Sequence, residues 1–326
     1  MMFKKFRCLV LAMVLIIVSV SCTTFAAKKP IKLVYGNVLA VDHFSAKGDL
    51  YFKELVEKNS KGQILVDYFP ASQLGGSVEQ AQAIRSGAQQ MFFGGIGMFS
   101  QYYPAINTTE LPFLYRDAEH YTKVGKKLAI LLGREEMATK CGVRILGVRM
   151  NAPRQLTTKF PVNKLEDIKG IKMRVSESAL NLAFWKALGT VPTVIPASDL
   201  YTALATGTVD AQENPFDDIY SRKLYEQVKY CALTAHQRIF YIMLINNDCW
   251  NSLTKAQQKI VQNAADKSTE MVNQAALESE QKYKDLLAKA GMKFTTPNQA
   301  PFREKAKTVW GKFGDAGLIK KIEAVK

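Results

Sequence analysis

Histidine, cysteine and the familiar catalytic signatures are all thin in this chain of 326 residues. The 3 histidines, His43, His120 and His236, stand far apart and none belongs to an HExxH pair, so no zinc site is expected. None of the 5 cysteines forms a CxxC, and Cys141, Cys231 and Cys249 remain once a leader carrying Cys8 and Cys22 is removed. An odd number cannot pair completely within one chain, and burial as small apolar side chains is the simplest expectation. No GxSxG elbow, P-loop or complete GxGxxG occurs; the run GGIGMFS has the first glycines and lacks the last. A strand followed by a tight turn accounts for those glycines. An enzyme would have to work without any of these motifs, and no cofactor is expected.

Acidic residues are also in deficit, 29 against 44 basic ones, for a formal charge of +15. Lys4, Lys5 and Arg7 lie in the first 26 residues, which hold no acid, so the remainder carries +12 of the +15. A basic surface suits anionic partners. The basic residues are scattered singly or in pairs such as Lys126 with Lys127, with no arginine-rich arm, so nucleic acid is not the expected partner.

Long apolar runs are missing except at the start. Lys4, Lys5 and Arg7 precede an apolar stretch from Cys8 to Val20, followed by small residues at Ala26 and Ala27. The stretch is shorter than the ~20 residues a spanning helix needs, and the pattern is that of a secretory signal peptide over 1–26, cleaved after Ala26 or Ala27. Cys22 follows Ser21, as in a lipoprotein, but Ser19 stands where a lipidation signal wants an aliphatic side chain, so the expectation is an exported, unlipidated, periplasmic protein.

What is present is an α/β rhythm. β-rich runs IKLVYG, QILVDYF, MFFGG, RILGVRM, RQLTTKF, KMRV, TVIP and RIFYIMLIN alternate with helical stretches, one of them from about Asp117 to Lys140. From Thr254 the pattern changes: Thr254 with Gln257 forms a capping box, and neither Pro nor Gly interrupts the chain before Gly291. One helix of about 35 residues, or two joined by a short break, satisfies that pattern. Arg154 and Arg174 flank the LEDIKG turn on two β-rich runs, so two parallel or adjacent strands can present both guanidiniums at one edge, each a planar fork matched to a carboxylate.

These runs resemble the DctP family, the solute-binding proteins of TRAP (tripartite ATP-independent periplasmic) transporters. PVNKLEDIKGIKMRV (161–175) is similar to the family's P-[IV]-x(3)-EDLKGLKIRVP, and LGTVPTVIPASDLYTALATGTVDAQENP (188–215) to its LGA…SExY…GxVDGQENP. SKGQILVDYFPASQLGG (60–76) and KLYEQVKYCALTAH, ending at His236, match further family stretches in the same order, so the likeness covers nearly the whole chain after the leader. The resemblance implies a two-domain α/β periplasmic binding fold, with a ligand cleft between lobes and a single long helix spanning both. It implies domain I over 28–151 plus 240–279 and domain II over 152–239 plus 280–326. It also implies a carboxylate-clamping Arg174, a supporting Arg154 and a polar contact from Asn214. The implied partners are a small organic carboxylate (C4-dicarboxylate, keto acid, sugar acid or aromatic acid) and the TRAP membrane permease subunits, and a monomer is expected. An exported enzyme and a sensor on the same scaffold are the alternatives. Ser176 in place of Pro, Asp199 in place of Glu and Ala211 in place of Gly depart from the family pattern, and bear on which ligand is held. Phe184 and Trp185 follow the Arg174 strand, where core packing is expected for each.

Overall fold

The structure, a computed structural model, describes residues 29–326, so the leader, its cleavage position and Cys22 lie outside the described residues. The strands are β1 (Ile31–Asn37), β2 (Ile64–Phe69), β3 (Met91–Gly95), β4 (Val143–Arg149), β5 (Arg154–Thr158), β6 (Lys172–Val175), β7 (Val191–Val194), β8 (Ala211–Asn214), β9 (Tyr230–Gln237), β10 (Tyr241–Asn246) and β11 (Lys293–Thr295). They form two sheets, ordered β2-β1-β3-β10-β4 and β11-β9-β5-β8-β6-β7, the two-lobed α/β arrangement. The chain passes from the first sheet to the second between β4 and β5 and returns between β9 and β10. The last crossing is made by the helix Lys255–Lys289 before β11.

That helix is continuous over 35 residues. At 1.5 Å per residue it is about 52 Å long, more than one small lobe can cover. Thr254 and Gln257 exchange the two bonds of the capping box, from the Thr254 amide to Gln257 Oε1 (3.0 Å) and from the Gln257 amide to Thr254 Oγ1 (3.3 Å). Val261, Ala264 and Ala265 pack with Leu33, Val66 and Met243 of the first lobe, whereas Leu287 packs with Leu200, Leu204 and Val228 of the second. The helix therefore gains its burial from both lobes. It crosses the helix Phe44–Asn59 closely at Gly48, where a Cβ would stand 2.3 Å from Val272 Cγ2.

The single helix expected over 117–140 is two, Ala118–Leu131 and Arg134–Cys141. Gly133 separates them with φ 80°, a left-handed turn that an ordinary helix cannot accommodate. Phe184 and Trp185 are both core residues. Cys141, Cys231 and Cys249 are free thiols, the first two buried. The C-terminal helices Ala300–Phe313 and Ala316–Glu323 carry Phe302, Leu318 and Ile322 into a cluster that holds Phe92 and Phe240 of the first lobe and Leu156, Phe184 and Trp185 of the second. His120 and Arg116 of the first lobe contact the last helix at Ile322 O (2.9 Å) and Glu323 O (2.8 Å).

A second junction is ionic. His43, at the N-terminus of the helix Phe44–Asn59, stands 3.1 Å from Asp217 on the helix Phe216–Ser221, and each side chain is 1% exposed. His43 Nδ1 accepts the Ser45 amide (3.1 Å), so Nε2 carries the proton that faces Asp217. Asp217 acts on His43 at this distance both as a hydrogen-bond partner of Nε2 and through its charge. Burial works to lower the His43 pKa, but Asp217 and Asp218 outweigh it and leave it raised above 6.5. The stabilisation is accordingly present in full below pH 6.5 and lost as pH rises through the raised value. Asp217→Asn is expected to be less stable than the parent protein at pH 6, with the gap narrowing toward pH 8 in denaturant unfolding. A gap that stays constant with pH would show that His43 is not charged.

Candidate functional site

The three residues singled out in the sequence meet at one end of the second sheet. β5 runs antiparallel to β8, and β6 runs parallel to β8, so the start of β5 and the ends of β6 and β8 share an edge. Arg154 is the first residue of β5, Asn214 the last of β8, and Arg174 the penultimate residue of β6. The expected parallel or adjacent pair is not formed: β8 lies between the two arginine strands, which run in opposite directions within one sheet, and the antiparallel step from β8 to β5 still brings both arginines to one end.

The two guanidiniums differ in what they hold. Arg154, 4% exposed, pairs with Glu213 through Nε to Oε2 and through Nη2 to Oε1 (2.9 Å). Its Nη2 also donates to Glu213 O (2.7 Å) and to Asn214 Oδ1 (2.8 Å). Burial opposes its charge, yet Glu213 raises its pKa above the ordinary arginine value. Burial alone would raise Glu213; the Arg154 charge and the His236 bond instead bring it down to about 2. His236 is buried, with Nε2 3.3 Å from Glu213 Oε2 and Nδ1 2.8 Å from Thr234 Oγ1, and burial lowers its pKa.

Arg174, 3% exposed, has no such partner among the described residues: its Nε donates to Ile195 O (2.8 Å), and no carboxylate lies within ion-pair distance. Burial lowers its pKa to about 10, with Glu213 acting in the other direction. The two terminal nitrogens, four N–H groups in a plane, are uncommitted. Asn214 gives its carbonyl to Arg154 and one amide hydrogen to Gln212 Oε1 (2.6 Å), which leaves one N–H. This arrangement can take a carboxylate end-on at Arg174, with Asn214 oriented beside it and Arg154 fixed behind by its own anion.

Glu213 and Glu110 were not singled out in the sequence. Glu213 carried a signal, a charged residue inside a strand buried along its whole length. Glu110 accepts the Gly97 amide at 2.9 Å, and burial pushes its carboxyl up to about 7, with Arg154 lowering and Glu213 raising it. A groove of about 970 Å³ lies elsewhere, between β4, the helix Ala118–Leu131 and the long helix, and contains none of the three residues. Gln262 and Asn273 reach into it to bond Leu146 O (2.8 Å) and Val148 O (3.1 Å), closing the exposed edge of β4. Among the described residues no cluster of His, Cys, Asp and Glu is placed to hold a metal, and no helix is long and apolar enough to cross a membrane.

Residues 35–316 match the family described as DctP, bacterial extracellular solute-binding protein, family 7. The chain belongs to this family. The 2,3-diketo-L-gulonate-binding periplasmic protein YiaO of Escherichia coli is 31% identical over 78% of this chain and 76% of its own length. The C4-dicarboxylate-binding periplasmic protein DctP of Rhodobacter capsulatus is 29% identical over 94% of each. Among solved structures, a TRAP periplasmic solute-binding protein of Xanthobacter autotrophicus with bound β-D-galacturonate superposes with a TM-score of 0.86. It is 27% identical and is matched over 90% of this chain and 100% of its own. The DctP-family fold thus accounts for the two sheets and for the helix that bridges them.

Proposed function

We propose that the protein is the extracytoplasmic solute receptor of a TRAP transporter, exported to the periplasm with residues 1–26 removed. It binds a small organic carboxylate between its lobes and presents it to the membrane permease. The observation that carries this reading is Arg174: a guanidinium 3% exposed whose one hydrogen-bond partner among the described residues is the Ile195 carbonyl, beside an Arg154 whose charge is already matched by Glu213. An uncompensated buried charge costs several kcal/mol, and an anionic ligand removes that cost. The acids named for the DctP-family relatives, a diketo-gulonate, C4-dicarboxylates and galacturonate, all supply a carboxylate. In this reading Arg174 clamps the carboxylate, Asn214 donates to it and Arg154 positions Asn214. Domain I is formed by 28–151 plus 240–279 and domain II by 152–239 plus 280–326. No bond of the ligand is made or broken. Closure follows from the ligand's greater affinity for the closed form, because it touches both lobes there.

Mass spectrometry of protein recovered from the periplasm tests the reading in two ways. Intact mass is expected to place the first residue at Ala27 or Lys28 without a lipid, and denaturation is expected to release a small organic acid. Protein refolded free of that acid should melt higher when it is restored, by the equivalent of about 2.7 kcal/mol at a hundredfold excess over Kd. Acid returned in altered form would mark an enzyme, and no stabilisation by any carboxylate would remove the receptor reading.

A further inference from the structure

The chain returns from the second lobe to the first between β9 and β10, and the first lobe grips that crossing at several points. Phe113 donates its amide to His236 O (2.8 Å), Ile96 its amide to Phe240 O (3.3 Å) and Tyr121 its hydroxyl to Ile239 O (2.8 Å). Gln237 adds a side-chain bond, from Nε2 to Glu110 O, and shares that nitrogen with Asn181 Oδ1 of the second lobe (3.1 Å). Gln237 is the register partner of Arg154. Glu110, the last residue of the short turn Pro104–Glu110, is thus bonded to the strand beside the supporting arginine. Its carboxyl is buried and reaches the turn Ile96–Phe99 that follows β3. Oε1 accepts the Gly97 amide (2.9 Å), its one hydrogen-bond donor among the described residues, and no cation there lies within ion-pair distance. A Cβ on Gly97 would stand 2.2 Å from Glu110 Oε2, which accounts for the third glycine of GGIGMFS. The charges that act on the carboxyl are those of Arg154 on β5 and Glu213 on β8. It also faces Tyr115 and Tyr121, whose hydroxyls burial keeps neutral.

We infer that Glu110 is a positioning residue of the receptor whose carboxyl takes up a proton as an anion enters the clamp, so that the solute is held more tightly at slightly acid than at slightly alkaline pH. The inference rests on the receptor reading above. Its cause is charge. Burial has already pushed the carboxyl up to about 7, because the Gly97 amide and Arg154 offset the lost hydration only in part. A carboxylate on Arg174 and Asn214 adds a negative charge beside Arg154, in a poorly solvated place where screening is weak. That charge disfavours the ionised form of Glu110, and a proton enters. By linkage, a group whose pKa the ligand raises strengthens binding in full below the free value, and the gain is lost as pH rises through the bound value. The protonated carboxyl keeps an oxygen that accepts the Gly97 amide, so the turn Ile96–Phe99 is held in both forms.

The test uses the mature protein, refolded to strip endogenous ligand, and the tightest binder among D-galacturonate, D-gluconate, D-erythronate, pyruvate, fumarate and benzoate, titrated by calorimetry from pH 6.5 to pH 8.5. These acids stay ionised over that range, so a change in affinity belongs to the protein. Binding is expected to be at least about threefold tighter at pH 6.5 than at pH 8.5, with about 0.3 proton taken up per ligand near pH 7. The proton count is read in the parent protein, from the difference between phosphate and Tris buffers, and stands whether or not a variant folds. Glu110→Gln keeps an oxygen for the Gly97 amide and cannot ionise, so its affinity should be flat with pH and its proton uptake absent. Asp217→Asn is the control for His43, whose pKa is also raised above 6.5, and should keep the parent's profile. An affinity independent of pH in the parent, a Glu110→Gln protein with the parent's profile, or a profile lost in Asp217→Asn overturns the inference while leaving a carboxylate receptor in place. A panel in which no acid binds at any pH overturns the receptor reading and this inference with it.

Discussion

Arg174→Ala is expected to weaken binding of the released carboxylate by about a hundredfold or more, the consequence of losing about 3–5 kcal/mol when one member of a buried ion pair is removed. The magnitude follows from the site. Arg174 is 3% exposed, and Nε is fixed on Ile195 O, so both terminal nitrogens are aimed while the stem is held. Arg174→Lys is the sharper measurement. A lysine ammonium is one point donor; it cannot keep the Ile195 bond and also form two parallel bonds to a carboxylate, so affinity should stay well below that of the parent protein. Near-normal binding by the lysine variant would mean that charge alone is required. Titration of Arg174→Ala that gives a Kd within threefold of the parent, about 0.65 kcal/mol, would remove Arg174 from the site.

The second large effect concerns stability rather than affinity. Glu213→Gln leaves Arg154 charged, 4% exposed and without its anion, and should lower unfolding stability by about 3–5 kcal/mol at neutral pH. The acid limb tests the same pair. Glu213 is brought from 4.5 to about 2, so its contribution is present above 4.5 and lost as pH falls through about 2. At about 1.4 kcal/mol per pH unit that is of the order of 3 kcal/mol. Denaturant unfolding of the two proteins from pH 5 down to pH 2 should show the parent losing this advantage and the variant lacking it. A glutamine variant of parental stability, or identical acid limbs, would contradict the pairing. Arg154→Ala is expected to lose more stability and less ligand affinity than Arg174→Ala, because Arg154 is bonded to Glu213 and Asn214.

Much of the architecture was legible because it depends on local patterns. The capping box at Thr254 and the absence of Pro and Gly up to Gly291 allow a 35-residue helix, although two helices satisfied the same residues until the family resemblance favoured one. The break at Gly133 went unread, since a glycine in a helical stretch can be tolerated, as Gly125 is within the helix Ala118–Leu131. The two arginines were visible as residue types on β-rich runs, but their difference was not. Nothing local marks Arg154 as neutralised, because its partner Glu213 lies 59 positions away and reaches it through the antiparallel pairing of β5 with β8.

The amino-acid order was enough to establish the α/β class and the family and to single out Arg154, Arg174 and Asn214 as candidates, because helix caps, strand periodicity and motif spacing are short-range properties that survive in one dimension. Which guanidinium is spent and which is available belongs to the fold. The same holds for His43 meeting Asp217 and for the long helix drawing burial from both lobes, since each depends on contacts between segments far apart in the chain. Charge acts through distance in space, and the pairing of two sheets sets that distance.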